Sequence, residues 1–473
     1  MIYKKFYFEN YKGIKDKLEF PVNVDSKKPY CIIGNNEGGK TTILKGMAFI
    51  SRLCRDEFDC TDIINKKEID KIHKKDLYFT GNVKVGAILE FNKNDIEDIS
   101  EQLKIILLEQ NTIDILNIFS FEDTEYKKKE VIITLNNNEV DKALHKDIFS
   151  IIKKYSQDIL YYDDFMFSVP EVVRFTKKNQ QINDPENIFN SKLNKDWQKI
   201  FDDILTGSSH MDSNDTKIRK FQDDIIDSNT KEDIKNGRIE GMGDYLTRLL
   251  NNWLKNNVNT DIKGVKIMKF KEQNGFIDYK IQVLSKKNAP YDMSDRSKGL
   301  QWTFCFNILT SIRKERHSNG FIFLLDEPAS NLHISLQGKM LQEMNKMCNN
   351  KNFVIYSTHA PDLIDLKNMD NWWFVENKAK ELEETNISIS QTTTNNVVLM
   401  PIISAISYNT ITDAERKNKE QNMKVFDKIK AMCKTGWDKI QKCYDSVKIF
   451  YDKLPEPVKQ VATDYAKKKI GVN

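Results

Sequence analysis

Nine residues, Gly34-Asn35-Asn36-Glu37-Gly38-Gly39-Lys40-Thr41-Thr42, follow the short apolar run Cys31-Ile32-Ile33 and precede a helix-like pattern. They satisfy G-x-x-x-x-G-K-[ST] at every fixed position, the spacing of a phosphate-binding loop. Glycines at these places let successive backbone N–H groups converge on phosphate oxygens, and a helix opening near Lys40 adds its positive end to the same spot. Lys40 is expected to reach the β- and γ-phosphates of a bound ATP, and the Thr41 hydroxyl to ligate Mg²⁺.

A second group lies in "FIFLLDEP", where an apolar run from Phe321 to Leu325 ends in Asp326-Glu327. A buried parallel strand beside the strand of the loop would deliver Asp326 to the Mg²⁺ shell. Glu327 would then face the γ-phosphate and orient or deprotonate the attacking water. A third strand, in "NFVIYSTHAPDLID", ends in Ser357-Thr358-His359, and His359 is placed to hydrogen-bond the γ-phosphate. In "SDRSKGLQWTFCFNI" a polar turn runs into an apolar helix beginning near Ser297. There Ser297, Lys298 and Gly299 would present backbone amides to an anion.

The elements that must position these residues read as an α/β chain with a mixed sheet. Short strands are expected at residues 2–9, 17–20 and 31–33, and "NVKVGAILEF" at 82–91 alternates well enough to be another. Residues 1–95 form an N-terminal lobe on this reading. Residues 96–260 turn polar and are expected to be a mainly helical insertion, with "NDIEDISEQLKIILLEQ" and "NKDWQKIFDDILTG" as helices. Residues 261–411 make a C-terminal lobe, opening with strands "VKIMKF" and "IDYKIQVL" either side of Asn274-Gly275, a strong hairpin signal. Residues 412–473 are a helical tail, in which Phe426, Ile429, Cys433, Trp437, Ile440, Tyr444, Val447 and Tyr451 share one face.

Composition narrows the function classes. The net charge of +4 is small beside 73 basic and 69 acidic residues, which argues against a dedicated nucleic-acid tail. The lysine triples Lys127 to Lys129 and Lys467 to Lys469 read as solvated helix faces. The N-terminus lacks the apolar stretch of a signal peptide, and no run approaches a membrane span. Seven cysteines, with no C-x-x-C pair, fit a reducing cytoplasm best.

The order of phosphate loop, serine-glycine helix start, Asp-Glu strand and strand-end His resembles the ATP-binding cassette (ABC) ATPases. It is most similar to the branch containing SMC, RecF and OLD (overcoming lysogenization defect) proteins. The phrases "GNNEGGKTTIL", "RSKGLQWTF", "LLDEPASNLHISLQ", "STHAPDLID" and "ILYYDDF" look like the OLD-type ATPases over roughly residues 1–95 and 260–410. The resemblance implies ATP held between two heads, a homodimer or higher homo-oligomer. Lys40, Thr41, Asp326, Glu327 and His359 would act on one face while Ser297 and Gly299 complete the site of the other protomer, and Asn331 falls in the dimer-contact loop.

There are departures from the family pattern. The signature reads Ser-Lys-Gly-Leu rather than Ser-Gly-Gly-Gln, and too few residues separate loop from signature for a long SMC-type coiled coil. The tail carries no metal-binding pattern of the TOPRIM nuclease that usually follows in OLD proteins. The implied role is therefore an ATPase controlling a separately encoded effector, a nuclease or toxin, in bacterial antiphage defence. A RecF-like ATPase that clamps DNA, and a slowly hydrolysing nucleotide-gated scaffold, are the alternatives.

Overall fold

In a computed structural model, most of residues 1–391 are described. Outside the described residues lie 23–26, 35–37, 56–78, 92–95, 97–98, 101–110, 124, 163–167, 178–183, 185–186, 213–218, 258–261, 274, 313–318, 329–333, 350, 361–362, 366–367, 378–385 and 392–473. The expected tail helix and Asn331 fall there.

The chain divides into two compact units, one of Met1–Tyr162, Asn319–Pro328 and Ile334–Asn473, the other of Asp163–Ser318 and Ala329–His333. In the first unit, one sheet is built on β3 (Tyr30–Gly34), β8 (Asp158–Tyr162), β13 (Phe321–Leu325), β14 (Phe353–Thr358), β15 (Trp372–Asn377) and β16 (Ile387–Ser390). Their order is β16-β15-β3-β14-β13-β8, with every pair parallel except the edge pair β15 and β16. Strands β3, β13 and β14 are buried along their whole length, which is why they read as unbroken apolar runs rather than alternating ones. The expectation that the Asp-Glu strand lies beside the loop strand is corrected. Strand β14 lies between them, so the strand that ends in His359 neighbours both.

A second sheet of the same unit is antiparallel, in the order β2-β1-β4-β5-β6-β7. Here β1 is Ile2–Glu9, β2 Leu18–Pro21, β4 Gly81–Glu90, β5 Thr112–Glu122, β6 Glu125–Leu135 and β7 Asn138–Glu139. Helix α1 (Lys40–Arg55) buries Ile43, Leu44, Met47, Ile50 and Leu53, the 3.6-residue spacing of one apolar face. They share a core with Phe6 and Phe8 of β1, Val85 of β4, Ile115 of β5 and Leu324 of β13. Helix α2 (His145–Tyr155) adds Ile148, Ile151 and Ile152 to it.

The helical expectation for residues 96–260 is corrected over its first part. Strands β5 and β6, eleven residues each, pair antiparallel there, and Lys127 to Lys129 sit on β6, not on a helix face. Most of "NDIEDISEQLKIILLEQ" falls outside the described residues. Farther along, helices do prevail: α3 (Lys192–Asp212) spans the expected "NKDWQKIFDDILTG" and α4 (Glu232–Asn257) follows.

The second unit pairs β10 (Ile262–Gln273) with β11 (Phe276–Ser285) across the expected hairpin, where Gly275 takes φ +79. Strand β11 also pairs with β9 (Val173–Thr176) and β12 (Pro290–Asp292). The Arg174 guanidinium donates to both oxygens of Asp278, at 2.8 Å each, and to Asp184 at 2.7 Å. Helix α5 (Lys298–Ile312) buries Gln301, Trp302, Phe304, Cys305, Phe306, Ile308 and Leu309, on all its sides.

Candidate active site

The loop strand β3 ends at Gly34 and helix α1 opens at Lys40, so the phosphate-loop motif spans a strand-to-helix turn. That is the context the motif needs. Asn35, Asn36 and Glu37 lie outside the described residues, while Gly38, Gly39, Thr41 and Thr42 are described. Gly39 takes φ +104, and a Cβ there would meet Ile387 Cδ1 at 2.5 Å. A Cβ on Gly34 would meet the Val375 carbonyl oxygen at 2.7 Å. Both ends of the loop are therefore closed to any side chain by strands β15 and β16.

Lys40 begins the helix, and its side chain is 5% exposed. It donates to the Gly34 carbonyl at 2.8 Å and pairs with Glu327 Oε1 at 2.9 Å. The other carboxylate oxygen, Glu327 Oε2, lies 3.0 Å from His359 Nδ1. Lysine, glutamate and histidine thus form one continuous chain of contacts, drawn from α1 and from the ends of β13 and β14. Parallel neighbours end on the same side of the sheet, and for that reason residues far apart in sequence converge here.

Asp326, one residue past β13, is 7% exposed. Its Oδ1 accepts from the Ser357 hydroxyl at 2.7 Å and its Oδ2 from the Tyr161 hydroxyl at 3.1 Å. Glu327 has a left-handed backbone, φ +49, and donates its N–H to Ser357 Oγ at 2.8 Å. Ser357 and Tyr161 carry no role in any motif read from the sequence, although "STHAPDLID" and "ILYYDDF" contain them. Cys31, on β3, is fully buried, and burial with the nearby Glu327 carboxylate pushes its thiol up to about 12. It serves packing.

Ser297 and Gly299 belong to the second unit. Ser297 caps α5: its carbonyl accepts from Leu300 N–H and Gln301 N–H at 2.9 and 3.0 Å, and its hydroxyl from Leu300 N–H at 3.4 Å. Ser297 and Lys298 are exposed. The helix begins where the polar-to-apolar change in sequence predicts it.

The donor set suits a nucleotide with Mg²⁺. A nearly buried ammonium already holds one anion, and a helix N-terminus faces the loop beside it. The Asp326 carboxylate and the Thr41 hydroxyl offer the hard oxygens that Mg²⁺ prefers.

The family described as "AAA ATPase domain" matches residues 1–364, which hold the loop, the Asp-Glu pair and His359. The chain belongs to the AAA ATPase domain family. This AAA ATPase chain matches no curated protein. Among solved structures it is similar to an Smc head bound to the C-winged helix domain of ScpA, at 12% identity and TM-score 0.44, covering 82% of this chain and 97% of that one. A Pyrococcus furiosus Smc head with an extended coiled coil, bound to the C-terminal domain of ScpA, matches at 12% identity and TM-score 0.44, over 82% and 96%. The SMC head domain from Thermotoga maritima matches at 13% identity and TM-score 0.36, over 82% and 98%. Among the described residues of this AAA ATPase, no helix is long and apolar enough to cross a membrane.

Proposed function

We propose that this AAA ATPase is a Mg²⁺-dependent ATP hydrolase of the ABC-like, OLD-type branch. Two copies close around ATP, and the ATP cycle controls a separately encoded effector in antiphage defence. The observation that carries the hydrolase reading is the run Lys40–Glu327–His359, with Asp326 beside it.

In this reading Lys40 exchanges the Glu327 carboxylate for the phosphates of the substrate, and Gly34 and Gly38 to Thr42 line the cradle. Freed from the ammonium, Glu327 accepts a proton from the attacking water as its oxygen bonds to the γ-phosphorus and the bond to ADP breaks. His359, half exposed and in contact with Glu327 Oε2, holds the carboxylate toward that water. Thr41 and Asp326 would hold Mg²⁺, which offsets charge on the phosphate oxygens when bound.

The dimer and the effector rest on the resemblance of "RSKGLQWTF" and "LLDEPASNLHISLQ" to OLD-type ATPases. Ser297 and Gly299, at the exposed start of α5, would complete the site of a second copy. Mixing Lys40→Ala chains with Ser297→Arg chains tests this, because each mixed dimer keeps one unaltered site. ATP hydrolysis should return on mixing two inactive preparations. Mixtures that exchange subunits yet stay inactive would contradict the closed dimer.

A further inference from the structure

We propose that Ser357 is a positioning residue that sets Asp326 and Glu327 as one unit, fixing with a single hydroxyl both the metal-holding carboxylate and the backbone that carries the general base. The inference rests on the hydrolase reading above and deepens it.

Three observations carry it. First, the Ser357 hydroxyl is used twice: it donates to Asp326 Oδ1 at 2.7 Å and accepts the Glu327 N–H at 2.8 Å. A hydroxyl has one proton and two lone pairs, so these bonds use its donor and one acceptor position. Second, Glu327 is a non-glycine residue at φ +49. Such a backbone persists only where its surroundings over-determine it, and the N–H that Ser357 accepts belongs to that same residue. Third, Ser357 is fully buried, whereas His359 is half exposed. Strand β14 ends at Thr358, so Ser357 lies inside the strand and His359 one residue past it. Ser357 therefore addresses the backbone of Glu327 while His359 addresses its side chain.

The carboxylate of Asp326 is fixed from both flanks, by Ser357 on β14 and Tyr161 on β8. Partners of this kind fix the orientation of a metal ligand, and their loss typically costs 10–100-fold in metal affinity. The Tyr161 hydroxyl donates to Asp326, whereas the Ser357 hydroxyl bonds both Asp326 and the backbone of Glu327. Loss of Ser357 should therefore affect the response to metal and the rate at saturating metal together.

The test measures affinity for a non-hydrolysable ATP analogue by calorimetry, in EDTA and in excess Mg²⁺, for wild type, Ser357→Ala and Ser357→Cys, which keeps the side-chain shape but is larger and only a weak hydrogen-bonding group. Analogue affinity in EDTA should fall no more than about twofold below wild type, since Lys40 and the loop keep their places and a displaced Glu327 only frees the ammonium. The gain on adding Mg²⁺ should fall about 10- to 100-fold, and kcat at saturating Mg²⁺ should fall as well. A role confined to packing would weaken both affinities alike and contradict the proposal. So would either folded variant with wild-type Mg²⁺ response and kcat. A wild type that binds no analogue would instead overturn the hydrolase reading.

Discussion

Lys40 Nζ stands 2.9 Å from Glu327 Oε1, so the ammonium expected to meet phosphate already holds the carboxylate expected to activate water. Base and phosphate ligand are thus in direct contact, and neither can take up its proposed role until the pair separates.

Replacing Glu327 by Gln keeps the shape and leaves a carbonyl oxygen for Lys40, but removes both the base and the competing negative charge. ATP binding should be at least as tight as in wild type, while turnover falls ~100-fold or more, the usual scale for a catalytic base. Calorimetry and a phosphate-release assay read the two quantities separately. Weakened binding in the Gln variant would contradict the competition.

Gly39 tests the cradle. An alanine there would need φ near +104 and a Cβ 2.5 Å from Ile387 Cδ1. The left-handed backbone alone costs on the order of 1–2 kcal/mol. Gly39→Ala should lower the melting temperature and weaken ATP binding together, because Ile387 or the loop must shift. A variant that melts and binds as wild type would show that β16 does not shape the loop.

Asp114, on the antiparallel sheet, gives a pH-dependent prediction away from the site. Burial holds its carboxyl above the usual range, although the Tyr7 hydroxyl donates to it at 2.5 Å and opposes the shift. An acid raised on folding binds its proton more tightly in the folded state. Its contribution to stability is therefore greatest below the ordinary carboxylate range and declines as pH rises through that range to the raised value. Asp114→Asn should melt higher than wild type at neutral pH, with the difference fading below about pH 4. Melting curves across pH would show it, and a variant less stable than wild type at neutral pH would reverse the sign.

Much of the site was legible because its residues sit at fixed spacings after apolar runs. Gly34 to Thr41 and the run from Phe321 to Glu327 announce a strand-to-helix turn and a buried strand end. The order β3-β14-β13 was not, since three fully buried runs of five or six residues carry no mark of which pairs with which. Strand β5 was missed for a different reason. Its inward positions are Ile113, Ile115, Asn117, Phe119 and Phe121, and its outward ones include Leu116 and Ile118, so a polar residue inside and apolar ones outside blur the two-residue period. Ser357 and Tyr161 reach Asp326 from two other strands, and only the assembled sheet brings those three side chains together.

The central claim is that Lys40 is the cation that holds the phosphates of ATP. Titrating folded wild-type and Lys40→Ala protein with ATP in a calorimeter tests it most directly. Wild type should bind, and the variant, which loses a nearly buried ammonium from a site otherwise made of backbone dipoles, should show no measurable binding. Undiminished ATP affinity in a folded Lys40→Ala protein would contradict the account.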